Sequence, residues 1–279
     1  MQARAHRIAQ RAQVERGRHR SVDAVFEMVD RDSDVGGGIM AGALAYRLFI
    51  WLLPLALIAV GGLGVVAESA AESPEKAAKS FGLTGLVSSS VAGAANSPAH
   101  WYAFVFGLPV LLWATRSLLR ALIVVHRLVW SDLRAAAPKP TFGASALFLA
   151  VLVGFLAVSR LADSARSWSV SGGTLVTLAV TFAFIGLWLL VAARLPHRDA
   201  PWRELLPGAI LFAVGIQLLG LVTDYLIAPQ ASSKQGTYGA LGLAAALLLG
   251  LFFITRLIVA TAVVNATLWE RRRHQPIGK

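Results

Sequence analysis

Long uncharged runs alternate with short basic connections along this chain. Residues 142–159 and 167–193 hold no charged side chain at all. Runs of about 18 apolar residues or more are long enough to cross a hydrocarbon core of roughly 30 Å as a helix. Period-two alternation is absent and Leu, Ala and Val dominate, which favours helices over a closed barrel. The pattern predicts six spans at about 39–67, 101–125, 141–162, 171–193, 205–227 and 239–269. The expected fold is therefore all-α, a polytopic membrane protein of six transmembrane helices.

The polar segments complete the domain organisation. Residues 1–35 form a basic tail, and no apolar core follows soon enough for a cleavable signal. From Ser21 onward Val22, Val25, Phe26, Met28 and Val29 fall on one side of a helix, with Asp23, Glu27 and Asp30 mainly elsewhere. This predicts an amphipathic helix lying at the membrane interface. Gly36, Gly37 and Gly38 then supply a hinge. Residues 36–269 make the transmembrane domain and 270–279 a second basic tail. The loop 68–100 is the longest connection, with short helices expected around 80–91.

Composition agrees with this picture: 56% of residues are hydrophobic and 15% charged, and mean hydropathy is +0.64. A soluble domain carries about a quarter of its residues as charges. The net charge of +11 raises the question of nucleic acid, but its distribution gives another answer. Nineteen Lys and Arg fall on one side of the expected membrane and five on the other, leaving Arg47 and Arg256 inside spans. That bias makes the basic side cytoplasmic, with both termini there. No nucleic-acid partner is expected; membrane lipids are.

Charge inside a span is costly unless paired or wet, so it is the candidate functional signal. Arg47, Arg116, Arg120 and Arg256 form a possible cationic substrate-binding set, joined by Tyr46 and Gln217. Snorkelling of these arginines to headgroups is the competing reading. Asp224 is the one carboxylate expected within a span, and Arg160 at similar depth would pair with it as an outer gate or a static salt bridge. Pro54 and Pro109 are expected to kink the first two spans. The chain has no cysteine, and its six histidines are scattered. Metal chemistry, cofactors and ATP-driven work by this chain alone are not expected.

Several motifs resemble the YihY/BrkB family of bacterial inner-membrane proteins: Ala43-Leu44-Ala45-Tyr46 followed by Pro54; Trp113-Ala114-Thr115-Arg116 with Leu119-Arg120-Ala121-Leu122; Leu195-Pro196, Pro201-Trp202-Arg203 and Leu206-Pro207-Gly208-Ala209; and Tyr238-Gly239-Ala240-Leu241-Gly242. Their order and spacing follow the family over nearly the whole chain. The last span departs from it, reading Thr261-Ala262-Val263-Val264-Asn265-Ala266, with Val263 where the family usually has an acid. Arg47 and Trp51 likewise replace a Tyr and a small polar residue. The resemblance implies a six-helix membrane fold and brings with it suspected transport or lipid handling, and an older ribonuclease label that these residues do not support.

Three functions follow as expectations. The first is a non-enzymatic transporter or flippase for an anionic amphiphile, such as a lipid or cell-envelope precursor. The second is a membrane scaffold with envelope-protein partners or self-association, and the last a membrane-bound hydrolase.

Overall fold

The computed structural model describes residues 20–70, 100–132, 139–166, 170–222 and 228–273. These form seven helices: α1 (Arg20–Asp34), α2 (Gly37–Ala70), α3 (His100–Val129), α4 (Phe142–Arg166), α5 (Val170–Ala192), α6 (Trp202–Val222) and α7 (Ala228–Arg273). No strand occurs among the described residues. Six of the helices, α2 to α7, are long and apolar enough to cross a membrane, as the uncharged runs predict. The expected short helices at 80–91 lie outside the described residues. α7 starts at Ala228, ahead of the expected 239; Pro229 falls in its first turn, where proline is tolerated.

The expected glycine hinge resolves to one residue. Gly36 alone takes a left-handed conformation, with φ of 66°, and closes α1 as glycine does at helix ends. Gly37 and Gly38 already belong to the helix that follows. Gly37 has another role: a Cβ there would lie 2.1 Å from Oδ1 of Asp32.

The chain divides into two compact units. The larger takes in Met1–Ala45, Ala121–Lys139 and Ala150–Lys279, and the smaller Tyr46–Arg120 and Pro140–Leu149. In the larger unit α5 packs on α6, and α6 on α7. Val180, Phe184 and Ala213 make a buried apolar core. Trp188 stacks on Phe212 at 4.1 Å, and Phe155 meets Phe184 and Phe212 at 5.3 and 5.6 Å. Between helices in lipid, such close packing replaces the missing hydrophobic drive.

The start of α6 is joined to α7 by one side chain. Pro207 lacks an N–H and interrupts the helical ladder. Asn265 Oδ1 accepts from the Gly208 N–H at 2.7 Å, and its Nδ2 donates to the Leu205 carbonyl at 3.3 Å. Gly208 has to be glycine here, since a Cβ would lie 2.5 Å from Asn265 Nδ2 and 2.7 Å from the Thr261 carbonyl. The Pro-Gly motif and Asn265 are therefore two halves of one helix–helix joint.

The smaller unit has its own tie. The buried Trp51 donates its indole N–H to Thr115 Oγ1 at 2.8 Å, and Thr115 donates back to the Leu111 carbonyl at 2.7 Å. A Cβ at Gly107 would stand 2.8 Å from Ile58, so α2 and α3 approach closely at that level.

Candidate functional site

Arg47 and Arg116 come together in the smaller unit. Arg47 on α2 donates from Nη1 to Ser117 Oγ on α3. Arg116, the residue before Ser117, sets its guanidinium 5.5 Å from the Phe142 ring centroid, a cation–π distance. Its Nε is buried with no hydrogen-bond partner. Arg120 stands one turn further along α3 and is exposed, as is Tyr46 beside Arg47. Among the described residues, no carboxylate lies within ion-pair distance of Arg47, Arg116 or Arg120. Forked donors of this kind are chemically matched to the acceptor oxygens of a phosphate or carboxylate.

Arg256 has a different environment in the larger unit. Its Nη1 and Nη2 donate to Oδ1 and Oδ2 of Asp32 at 2.7 and 2.5 Å. The carboxylate comes from outside the spans, since Asp32 belongs to α1. A signal was nevertheless present. On the helical wheel of α1, Asp32 falls between Met28, Val25 and Val29, the one acid within the apolar arc. Gly37 lets the Asp32 carboxylate sit where it does, as its missing side chain leaves the space that the carboxylate fills.

The same arrangement extends along α1 and α7, which run antiparallel. Arg271 pairs with Asp23 at 2.8 Å and with Glu27 at 2.6 Å. Arg31 forks onto both oxygens of Glu270, at 2.7 and 3.0 Å. It also donates twice to the Val129 carbonyl, at 3.0 and 2.7 Å, which caps the C-terminus of α3. Arg272 reaches both oxygens of Glu204 at 2.7 Å, and Arg198 approaches Glu270 at 3.4 Å. Among the described residues, Arg31, Arg198, Arg256, Arg271 and Arg272 of the larger unit thus have carboxylate partners, and all but Arg256 come from the basic connections and tails.

The remaining expected site residues behave separately. Gln217 donates to Thr181 Oγ1 at 3.2 Å and to the Thr177 carbonyl at 3.5 Å, tying α6 to α5. Arg160 lies on α4 but its side chain is outside the described residues, and so is Asp224.

A cavity of about 750 Å³ opens in the larger unit, among the connection 193–199, the ends of α3 and α7, and Asp132. Its walls come from segments far apart in the chain, so no local pattern in the sequence signals it. Arg194, Arg198 and Arg273 line it together with Asp132, Asp199, His197 and Trp269.

Six apolar helices carrying arginines at depth define a polytopic helical membrane protein. The chain belongs to the virulence factor BrkB family, whose model matches residues 29–278. No curated protein and no solved structure matches it. The family match begins within α1, so it includes Asp32 and Arg31 as well as the six apolar helices.

Proposed function

We propose that this protein is a transporter or flippase for an anionic amphiphile, a lipid or cell-envelope precursor carrying phosphate or carboxylate. The observation that carries the reading is the group formed by Arg47, Arg116 and Arg120 beside Ser117, without a carboxylate among the described residues. A cation held at span depth is costly unless compensated. An anionic headgroup passing along α2 and α3 supplies the compensation, and the apolar residues exposed around it, Trp113 and Phe142 among them, accept acyl chains. Tyr46 contributes a hydroxyl to the same path. Arg256 acts through Asp32 rather than by meeting substrate directly.

In this reading the protein resides in a bacterial inner membrane with both termini cytoplasmic, supported by the 19-to-5 distribution of basic residues. α1 lies at the interface: its polar side is taken up by α7, while Val25 and Val29 stay exposed and suit the acyl boundary. No catalytic step and no cofactor are invoked.

The test is reconstitution into vesicles holding a fluorescent phosphatidylglycerol in one leaflet, followed by quenching of the accessible dye. Wild type is expected to equilibrate the probe, and Arg47→Gln and Arg116→Gln to slow it at least about tenfold, the scale of one lost charge-assisted hydrogen bond. Equal rates in all three proteins would remove the basis for this reading.

A further inference from the structure

The cavity at the 193–199 connection is built from charges of both signs. Arg194 has no carboxylate within ion-pair distance among the described residues, and neither Asp132 nor Asp199 has a basic partner there. Arg273 lies over the face of Trp269 at 4.7 Å, which holds its guanidinium at the rim. His197 Nδ1 is 2.6 Å from the Leu195 carbonyl. A carbonyl only accepts, so Nδ1 carries a proton, and in the neutral tautomer so fixed Nε2 is the acceptor.

The backbone around the cavity is held in an unfavourable form. Arg198 and Asp199 are consecutive left-handed residues, with φ of 48° and 58°, and Ser131 opposite has φ of 51°. Side chains other than glycine adopt that region at a cost, and it persists only where the surroundings fix it. Here Arg198 fixes it, donating to the Ser131 carbonyl at 3.1 Å and approaching Glu270. That bond joins two of the left-handed positions, and Asp199 beside them is exposed.

We infer that this cavity binds a zwitterion bearing a phosphate and an ammonium group, an aminoalkyl phosphate. Arg194 and Arg273 take the phosphate, and Asp132 and Asp199 the ammonium, with His197 Nε2 as a further acceptor. A plain anion would satisfy the arginines and leave two carboxylates facing it. A plain cation would do the reverse. Discrimination follows because each unmatched ligand leaves charge unpaired. The chemistry is shared by a phosphatidylethanolamine headgroup and by free phosphoethanolamine. The inference concerns a different unit from the arginine group on α2 and α3 and does not depend on the transport reading.

The full-length protein in phosphatidylglycerol nanodiscs is titrated calorimetrically with O-phosphoethanolamine, inorganic phosphate and ethanolamine. Protein taken from vesicles of equal parts phosphatidylethanolamine and phosphatidylglycerol is examined by native mass spectrometry for retained lipid. The aminoalkyl phosphate, free or as lipid, is expected to be preferred over the matching plain anion by about tenfold or more. Asp132→Asn with Asp199→Asn should abolish that preference while keeping the anion, and Arg194→Gln should weaken both. Selective lipid retention assigns the ligand to the bilayer; preference for the soluble zwitterion with equal lipid retention assigns it to solution. Equal binding of phosphate and O-phosphoethanolamine with no lipid selection overturns the proposal, as does no binding at all, or a preference that survives the double change. Should the double variant melt early, Asp199→Asn alone, at an exposed position, carries the same expectation at smaller size.

Discussion

Two intramembrane arginines that look alike in the sequence have opposite surroundings in the fold. Arg256 in the larger unit forks onto Asp32 through two hydrogen bonds. Arg47 in the smaller unit bonds a serine hydroxyl, and neighbouring Arg116 keeps a buried Nε with no partner among the described residues. Arg256 ties two helices together through its carboxylate partner. Arg47 and Arg116 are the arginines on which the proposed substrate contact rests.

The comparison breaks most sharply at Asp32. Replacing it by Asn leaves Arg256 unpaired, and loss of one partner of such a pair costs about 3 kcal/mol or more where the site is dry. The side chains are 36% and 19% exposed, so about 2 kcal/mol is expected in a denaturant titration of the reconstituted protein. Adding Arg256→Gln should return most of that loss, and an additive double variant would show that the pair is not coupled.

A comparable effect is expected at Gly37→Ala. The new methyl occupies the place of the Asp32 carboxylate, so the ion pair has to shift or break. Stability should fall by about 1–2 kcal/mol, on the scale of a weakened charged hydrogen bond. In the Asp32→Asn background the same change should cost much less, which the denaturant midpoints of the two series would register.

Trp51→Phe sharpens the comparison within the smaller unit. It removes the donor to Thr115, which keeps its bond to the Leu111 carbonyl. A loss of about 1 kcal/mol is expected, with transport of the anionic probe little changed. This separates packing of α2 on α3 from the arginines that they carry.

The smallest stability effect belongs to Arg116→Leu. A buried Nε without a partner contributes nothing through hydrogen bonding, so the change should lie within about 0.5 kcal/mol of neutral or be slightly stabilising. Its effect on the anionic probe should be large nonetheless. Equal loss of stability and transport at Arg116 would merge the two classes of arginine and end the comparison.

The number and helical character of the spans were legible because hydrocarbon imposes them locally: each run of apolar residues must satisfy its own backbone. The family was legible from motif order for the same reason, since Pro207, Gly208 and Asn265 carry their identities wherever the fold brings them. What the chain alone could not assign was the partner of each charge. Arg256 and Asp32 are separated by most of the sequence, and only the antiparallel run of α1 along α7 makes them neighbours. Topology accounted for the basic tails as a group, yet Arg31, Arg271 and Arg272 also form specific ion pairs. Hydropathy is a property of a segment and can be read along the chain, whereas compensation of a charge depends on which distant side chain the packing delivers. The sequence by itself determined six apolar helices and their arginines; the tertiary structure decided which of those arginines were already occupied.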